Sequence, residues 1–164
     1  MNDVALLTNP MQLIEGMEYL PGDPAFMDQL EARIVEIGGA VQGKGEQLPE
    51  FPLRHLFIPA PLAMYVRDIT MPPGWVVSRI HKTEHPFSIS KGKVSVLIQE
   101  TGEVEHLKAP HLGITFPGTR RFLVIHEETV WTTFHITAET DLMKLDDELW
   151  EPHLNPLLLE EETS

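Results

Sequence analysis

Apolar positions along the chain change period twice, and each change predicts a change of element. Phe26, Met27, Leu30, Ile34 and Ile37 recur at three- and four-residue steps, which predicts a helix over 24–37 with one apolar face. Asp23 stands where a cap is needed, Pro24 fits the first helical position, and Gly38-Gly39 supplies a stop. A weaker helical pattern over Met11 to Met17 ends at the turn-rich Leu20-Pro21-Gly22-Asp23-Pro24. The Gly- and Pro-rich residues 38–63 read as a connecting loop. From Met64 the pattern shortens to alternating runs, predicting strands at 64–70, 75–81, 86–90, 93–100, 103–108, 112–116, 121–126 and 129–137. Pro72-Pro73-Gly74, Lys91-Gly92, Thr101-Gly102 and Pro117-Gly118 break them. After Ala138, Leu142, Leu145 and Leu149 restore a helical stripe, and Pro152 to Ser164 reads as an arm or tail carrying Leu157-Leu158-Leu159. The expected order is a helical segment and loop (1–63), a β barrel (64–137) and a helix with an acidic tail (138–164), together one domain.

A chain of 164 residues has room for one hydrophobic core and little more. No apolar run approaches the roughly 20 residues that span a bilayer, and the N-terminus lacks a secretory pattern, so no membrane partner and a cytoplasmic location are expected. Cysteine is absent, which removes disulfides, thiolate zinc sites and cysteine nucleophiles at once. Any metal has to be held by His, Asp or Glu. The net charge of -13 is unevenly spread. Residues 1–63 carry nine acids against three bases and residues 138–164 nine against one, whereas residues 64–137 carry seven against eight. A near-neutral middle between acidic flanks admits a small anion and repels a polyanion, so nucleic acid is not an expected partner.

The chemistry concentrates in the middle segment. Gly74 is followed by Arg79-Ile80-His81-Lys82-Thr83-Glu84-His85, and Gly92 closes the stretch; downstream runs Phe116-Pro117-Gly118-Thr119-Arg120-Arg121. This pattern resembles the two motifs of the cupin superfamily. Aligned on Gly92, His85 stands at the family's Glu, His81 at its second His and Arg79 at its first; aligned on Gly118, Arg121 replaces the second motif's His. The string through Thr129-Val130-Trp131-Thr132-Thr133-Phe134-His135 is also similar to small cupin-like proteins of tailed phages, which would place the chain in a host cytoplasm. The resemblance covers about 75 residues. It implies a mainly β fold, a single double-stranded β-helix or jelly-roll barrel with flanking N- and C-terminal helices.

Residues two apart on a strand share a face. Trp75, Val77, Arg79 and His81 form one such set, His85, Phe87 and Ile89 a second, Arg121, Leu123 and Ile125 a third, and Trp131, Thr133 and His135 a fourth. The motif alignment then brings Arg79, His81, His85 and Arg121 together, with Trp131 and His135 beside them. A guanidinium has five donors and no lone pair to offer a metal. Two arginines at ligand positions therefore favour a small anionic ligand, a carboxylate, phosphate or nucleotide, captured without a catalytic residue. The alternative is a metal-dependent oxygenase, isomerase or epimerase with a divalent transition metal on His81 and His85, the set completed by His135 or Glu84. A third reading is a non-catalytic interaction protein, and the apolar faces of the flanking segments fit a homo-oligomer. Against the site reading, Arg79 and Arg121 pair with acids such as Asp68 or Glu84, Trp75 and Trp131 are core, and His106, His111, His126 and His153 are ordinary polar partners.

Overall fold

The computed structural model describes residues 17–18, 23–36, 40–41, 51–98 and 101–152. The elements are α1 (Pro24–Glu36), β1 (Ala40–Val41), β2 (Leu53–Ile58), β3 (Met64–Met71), β4 (Gly74–Val77), β5 (His85–Ile98), β6 (Val104–Lys108), β7 (His111–Thr115), β8 (Arg121–Ile136) and α2 (Leu142–Leu149). Residues 11–16 of the first helical pattern, the Gly38-Gly39 stop, Ile37 and the leucines of 157–159 lie outside the described residues.

Two long strands organise the barrel. The first half of β8 pairs with β4 on one side and the second half of β5 on the other, through Val76↔Leu123 and Val96↔Leu123. Its second half pairs with β3 and with the first half of β5, through Ile69↔Trp131 and Ile89↔Trp131. β6 extends the second half of β5, β7 extends the first half, β2 flanks β3, and the short β1 runs parallel to β4. The result is one continuous eight-stranded sheet bent into two layers, a mainly β jelly-roll barrel flanked by helices.

Alternation fills the interior. Ile69, Met71, Phe87, Ile89 and Trp131 from one layer meet Val76, Val94, Val96, Leu107, Leu123 and Ile125 from the other in one buried cluster. The outer face of the second layer is covered by α1. Asp23 accepts from the Ala25 N–H at 2.9 Å, and the helix buries Phe26, Met27, Leu30 and Ile34 against Trp75, Val77, Leu97, Phe122 and Val124. α2 starts at Asp141, whose carboxylate accepts from the N–H groups of Met143 and Lys144. Leu145, Leu149 and Trp150 then bury against Tyr65 of β3.

Three sequence expectations are corrected here. The predicted pairs 86–90 with 93–100 and 121–126 with 129–137 are each one strand. At Gly92, φ is +105° and the register to β8 shifts, so the chain bends without leaving the sheet. The stretch 38–63 is not all loop, because β2 occupies Leu53–Ile58 and β1 occupies Ala40–Val41. Finally, β4 stops at Val77, short of the predicted 81.

Candidate functional site

β4 ends where its backbone leaves the sheet, and the consequence decides which side chains meet. Trp75 and Val77 face α1, while His81, beyond the strand's end, turns to the interior. The expected shared face of Trp75, Val77, Arg79 and His81 is therefore corrected, since strict alternation ends with the strand. His81 is held by a bridge to Trp150 and by its N–H donating to the Thr119 carbonyl at 3.0 Å.

Side chains from β3, β5, β7 and β8 and from the segment after β4 converge on a small cavity of about 30 Å³, room for about two water molecules. It is lined by Arg67 of β3, His81, His85 of β5, Arg121 and Thr133 of β8, and Thr115 of β7, with Ser78 and an apolar floor that includes Trp131. None of the lining side chains is acidic. His135 lies behind His85, ring centroids 4.3 Å apart, and His81 and His85 are 5.2 Å apart. Thus His81, His85, Arg121 and Trp131 meet as expected, with His135 adjacent.

Arg79 does not join them. Its guanidinium donates to Asp146 of α2 at 2.6 Å and to the Glu151 carbonyl at 3.0 Å. With Lys82 donating to the Asp147 carbonyl, it clips the end of α2 onto the segment after β4. The place expected for Arg79 is taken by Arg67, whose Cζ lies 4.5 Å from the Trp150 ring centroid. Arg67 had only its position on the first predicted strand to mark it, and Trp150 had no motif at all. The signal that finds Arg67 is alternation along β3 with Tyr65, Ile69 and Met71, all buried.

The remaining described histidines lie elsewhere, His55 within 2.7 Å of the Tyr65 hydroxyl. His106 and His126 flank the Ser95 hydroxyl at 2.8 and 2.7 Å. His111 packs against Phe87, and His153 is outside the described residues. Of the two adjacent motif arginines, Arg120 donates to Asp28 and Glu31 of α1, whereas Arg121 donates to the Thr115 hydroxyl at 2.8 Å. The Arg121 Cζ lies 5.1 Å from the Phe87 ring and 5.8 Å from the Trp131 ring.

Electrostatics keep the imidazoles neutral. Burial first, then His85, the guanidiniums of Arg121 and Arg67, and His135 push His81 down to about 2. Burial, followed by His85 and Arg67, pushes His135 down to about 3. His85 is lowered by burial and by both arginines, against a backbone hydrogen bond that works the other way. That bond runs from Nδ1–H to the Thr83 carbonyl at 2.9 Å, so Nε2 carries the lone pair. This atom, His81 Nδ1, His135 Nδ1 and Arg67 Nε are all buried without a hydrogen-bond partner. Such groups carry a desolvation cost unless something arrives to meet them.

Three imidazoles are a suitable donor set for a divalent transition metal. Among the described residues, however, no group of three His, Asp or Glu side chains is placed as a ready metal site, and His135 Nε2 is engaged by the Thr133 hydroxyl at 2.9 Å. The described helices include none long and apolar enough to cross a membrane.

No family model matches the chain, and no curated protein matches it by sequence. Solved structures similar to it include a cupin-2 domain from Rhodospirillum rubrum, 16% identical with a TM-score of 0.47, covering 70% of this chain and 74% of that one. A cupin 2 conserved barrel domain protein from Rhodopseudomonas palustris is 20% identical with a TM-score of 0.43, covering 56% and 65%. Salicylate 1,2-dioxygenase from Pseudoaminobacter salicylatoxidans is 9% identical with a TM-score of 0.48; the match covers 75% of this chain and 33% of the dioxygenase.

Proposed function

We propose that the barrel captures a small anionic ligand, with the charged group of a carboxylate or phosphate entering the cavity between Arg67 and Arg121. The observation that carries this reading is a small cavity lined by two guanidiniums and no acid, where Arg67 Nε is a buried donor without a hydrogen-bond partner. Charge-assisted hydrogen bonds from guanidinium to an oxyanion are stronger than neutral ones, and exclusion of water strengthens them further. The neutral imidazoles accept a ligand's own O–H, or become protonated as the anion arrives and offsets the repulsion from the arginines. Anion binding should therefore tighten as the pH falls from 7.5 to 5.5. The cavity takes only a head group. A whole nucleotide needs far more room.

Titration of the full chain with acetate and with inorganic phosphate, followed by NMR or calorimetry, tests this. Arg67→Gln is expected to weaken binding roughly ten- to a hundredfold, the worth of one charge-assisted hydrogen bond. Wild-type protein that binds neither anion, or an Arg67→Gln protein that binds both unchanged, would remove the reading.

A second reading rests on the orphaned nitrogens themselves. An imidazole turns about its Cβ–Cγ bond at low cost, so His81, His85 and His135 are the residues that would hold a divalent metal. Such an ion supplies Lewis acidity or an activated water. Arg67 and Arg121 would then orient an anionic substrate beside it, and Trp150 would exclude solvent. Elemental analysis of untagged protein decides: close to one equivalent of metal supports this reading, and less than about a tenth of an equivalent overturns it.

A further inference from the structure

A second, larger space opens beside the cavity and shares its wall. β6 and β7 both pair with β5 and not with each other, so the sheet splays between them and leaves a cleft of about 550 Å³. That lies within the range of small-molecule pockets. Val96, Ile98 and Leu107 line one side and Phe87 and Trp131 the inner wall. The two rings stack at 4.5 Å and 12°, and Gly113 lies close enough that a Cβ there would sit 2.6 Å from the Phe87 ring. At the outer end Leu112 is 80% and Phe116 58% exposed. Arg121, Phe87 and Trp131 meet at the inner end, and Arg121 and Trp131 line the small cavity as well.

We infer that the ligand is an amphipathic organic anion, its charged head at Arg121 and Arg67 and its planar or aliphatic body in the cleft between β6 and β7. This rests on the anion-capture reading and narrows it to a ligand class. Charge complementarity fixes the orientation: Arg121 stands at the inner end, and the rest of the lining is largely apolar with Glu105 of β6 as its acid, so the anionic head goes to the guanidinium and the uncharged body to the cleft. The head-group cavity is too small for more than a few heavy atoms, and a body attached to that head has the cleft directly before it. Burial of each added methylene in an apolar site tightens binding roughly three- to fourfold.

The test is a ligand series on the full chain: acetate, butanoate, hexanoate and 2-naphthoate, with hexanol as the uncharged control. Affinity should climb by that factor per methylene, 2-naphthoate should bind at least as tightly as hexanoate, and hexanol at least tenfold more weakly. Phe116→Ser, at an exposed position that the fold tolerates, and Ile98→Asn, inside the cleft, should flatten the series and leave acetate unchanged. A flat series on wild-type protein that still binds acetate overturns the inference and leaves anion capture standing. A steep series untouched by both variants overturns it as well, because the body then lies elsewhere. Failure to bind any of the carboxylates overturns this inference, and it removes anion capture as well when inorganic phosphate also fails to bind.

Discussion

His81, His85 and His135 share one condition: each is buried beside positive charge, and each is therefore neutral. The consequence for stability has a definite sign. In the unfolded chain a histidine takes up a proton near pH 6.5, whereas these folded imidazoles resist it until far lower pH. Between those limits the unfolded state binds more protons, so folding stability is complete above about pH 6.5 and falls as the pH drops toward 3. His81 and His135 each contribute on the order of 1 kcal/mol per pH unit in that window, and His85 acts in the same direction. Urea unfolding at pH 7, 6, 5 and 4 should show the decline, and His81→Gln should make it shallower; equal slopes in the two proteins would contradict the assignment. At this scale the sequence was informative where a residue sat inside a strand. His85 and Arg121 follow from the motif alignment, and Trp131 shares the face of Thr133 and His135 by alternation. Arg79 could not, because β4 ends two residues before it, and a side chain past a strand's end follows its nearest partner, here Asp146.

Elements were legible by kind and less so by extent. Alternation finds the barrel, yet Lys91-Gly92 reads as a break and residues 127–128 fall between two predicted strands, whereas both lie within continuous strands. Gly92 shows why. A Cβ there would meet Thr129 Oγ1 at 2.3 Å and the Glu128 carbonyl oxygen at 2.6 Å, with φ at +105°. Glycine is the residue that permits this close passage of two strands. Gly92→Ala is expected to cost roughly 2–4 kcal/mol by denaturant unfolding, and a loss under about 0.5 kcal/mol would show that the bend relaxes freely. β2 escaped notice because its flanking prolines and glycines outweighed its short pattern, and its residues 53–56 are exposed. α2 was found by its leucines, but its task was not. Clipped by Arg79 and Lys82, it carries Trp150 over the histidines. Arg79→Ala should loosen this end, measured as faster hydrogen exchange across 142–149 with the exchange of β5 unchanged.

Across the whole molecule, α1 is bound to the barrel by more than its apolar stripe. Arg120 reaches from the turn before β8 to Asp28 and to Glu31, whose side chain is fully buried. Loss of the cation would take the Arg120 charge away from a carboxylate inside the protein. Arg120→Ala is therefore expected to cost about 3–5 kcal/mol, and replacing Arg120 and Glu31 together by apolar residues should recover much of it. Thermal melts of the three proteins give the comparison, with equal losses in single and double variants as the contrary result. Acidic flanks and a neutral middle were visible in the sequence, but this cross-link joins residues 89 to 92 positions apart, a distance that no local pattern reports.

β5 and β8 each belong to both layers, and the histidine and arginine groups stand at their ends: His85 opens β5, Arg121 opens β8 and His135 lies at its close. Each layer depends on β5 and β8, and neither melts without disturbing the other. A guest seated at those termini therefore grips the same two ribbons that staple the halves together, so occupancy should slow amide exchange along the full length of both, far from any atom it touches.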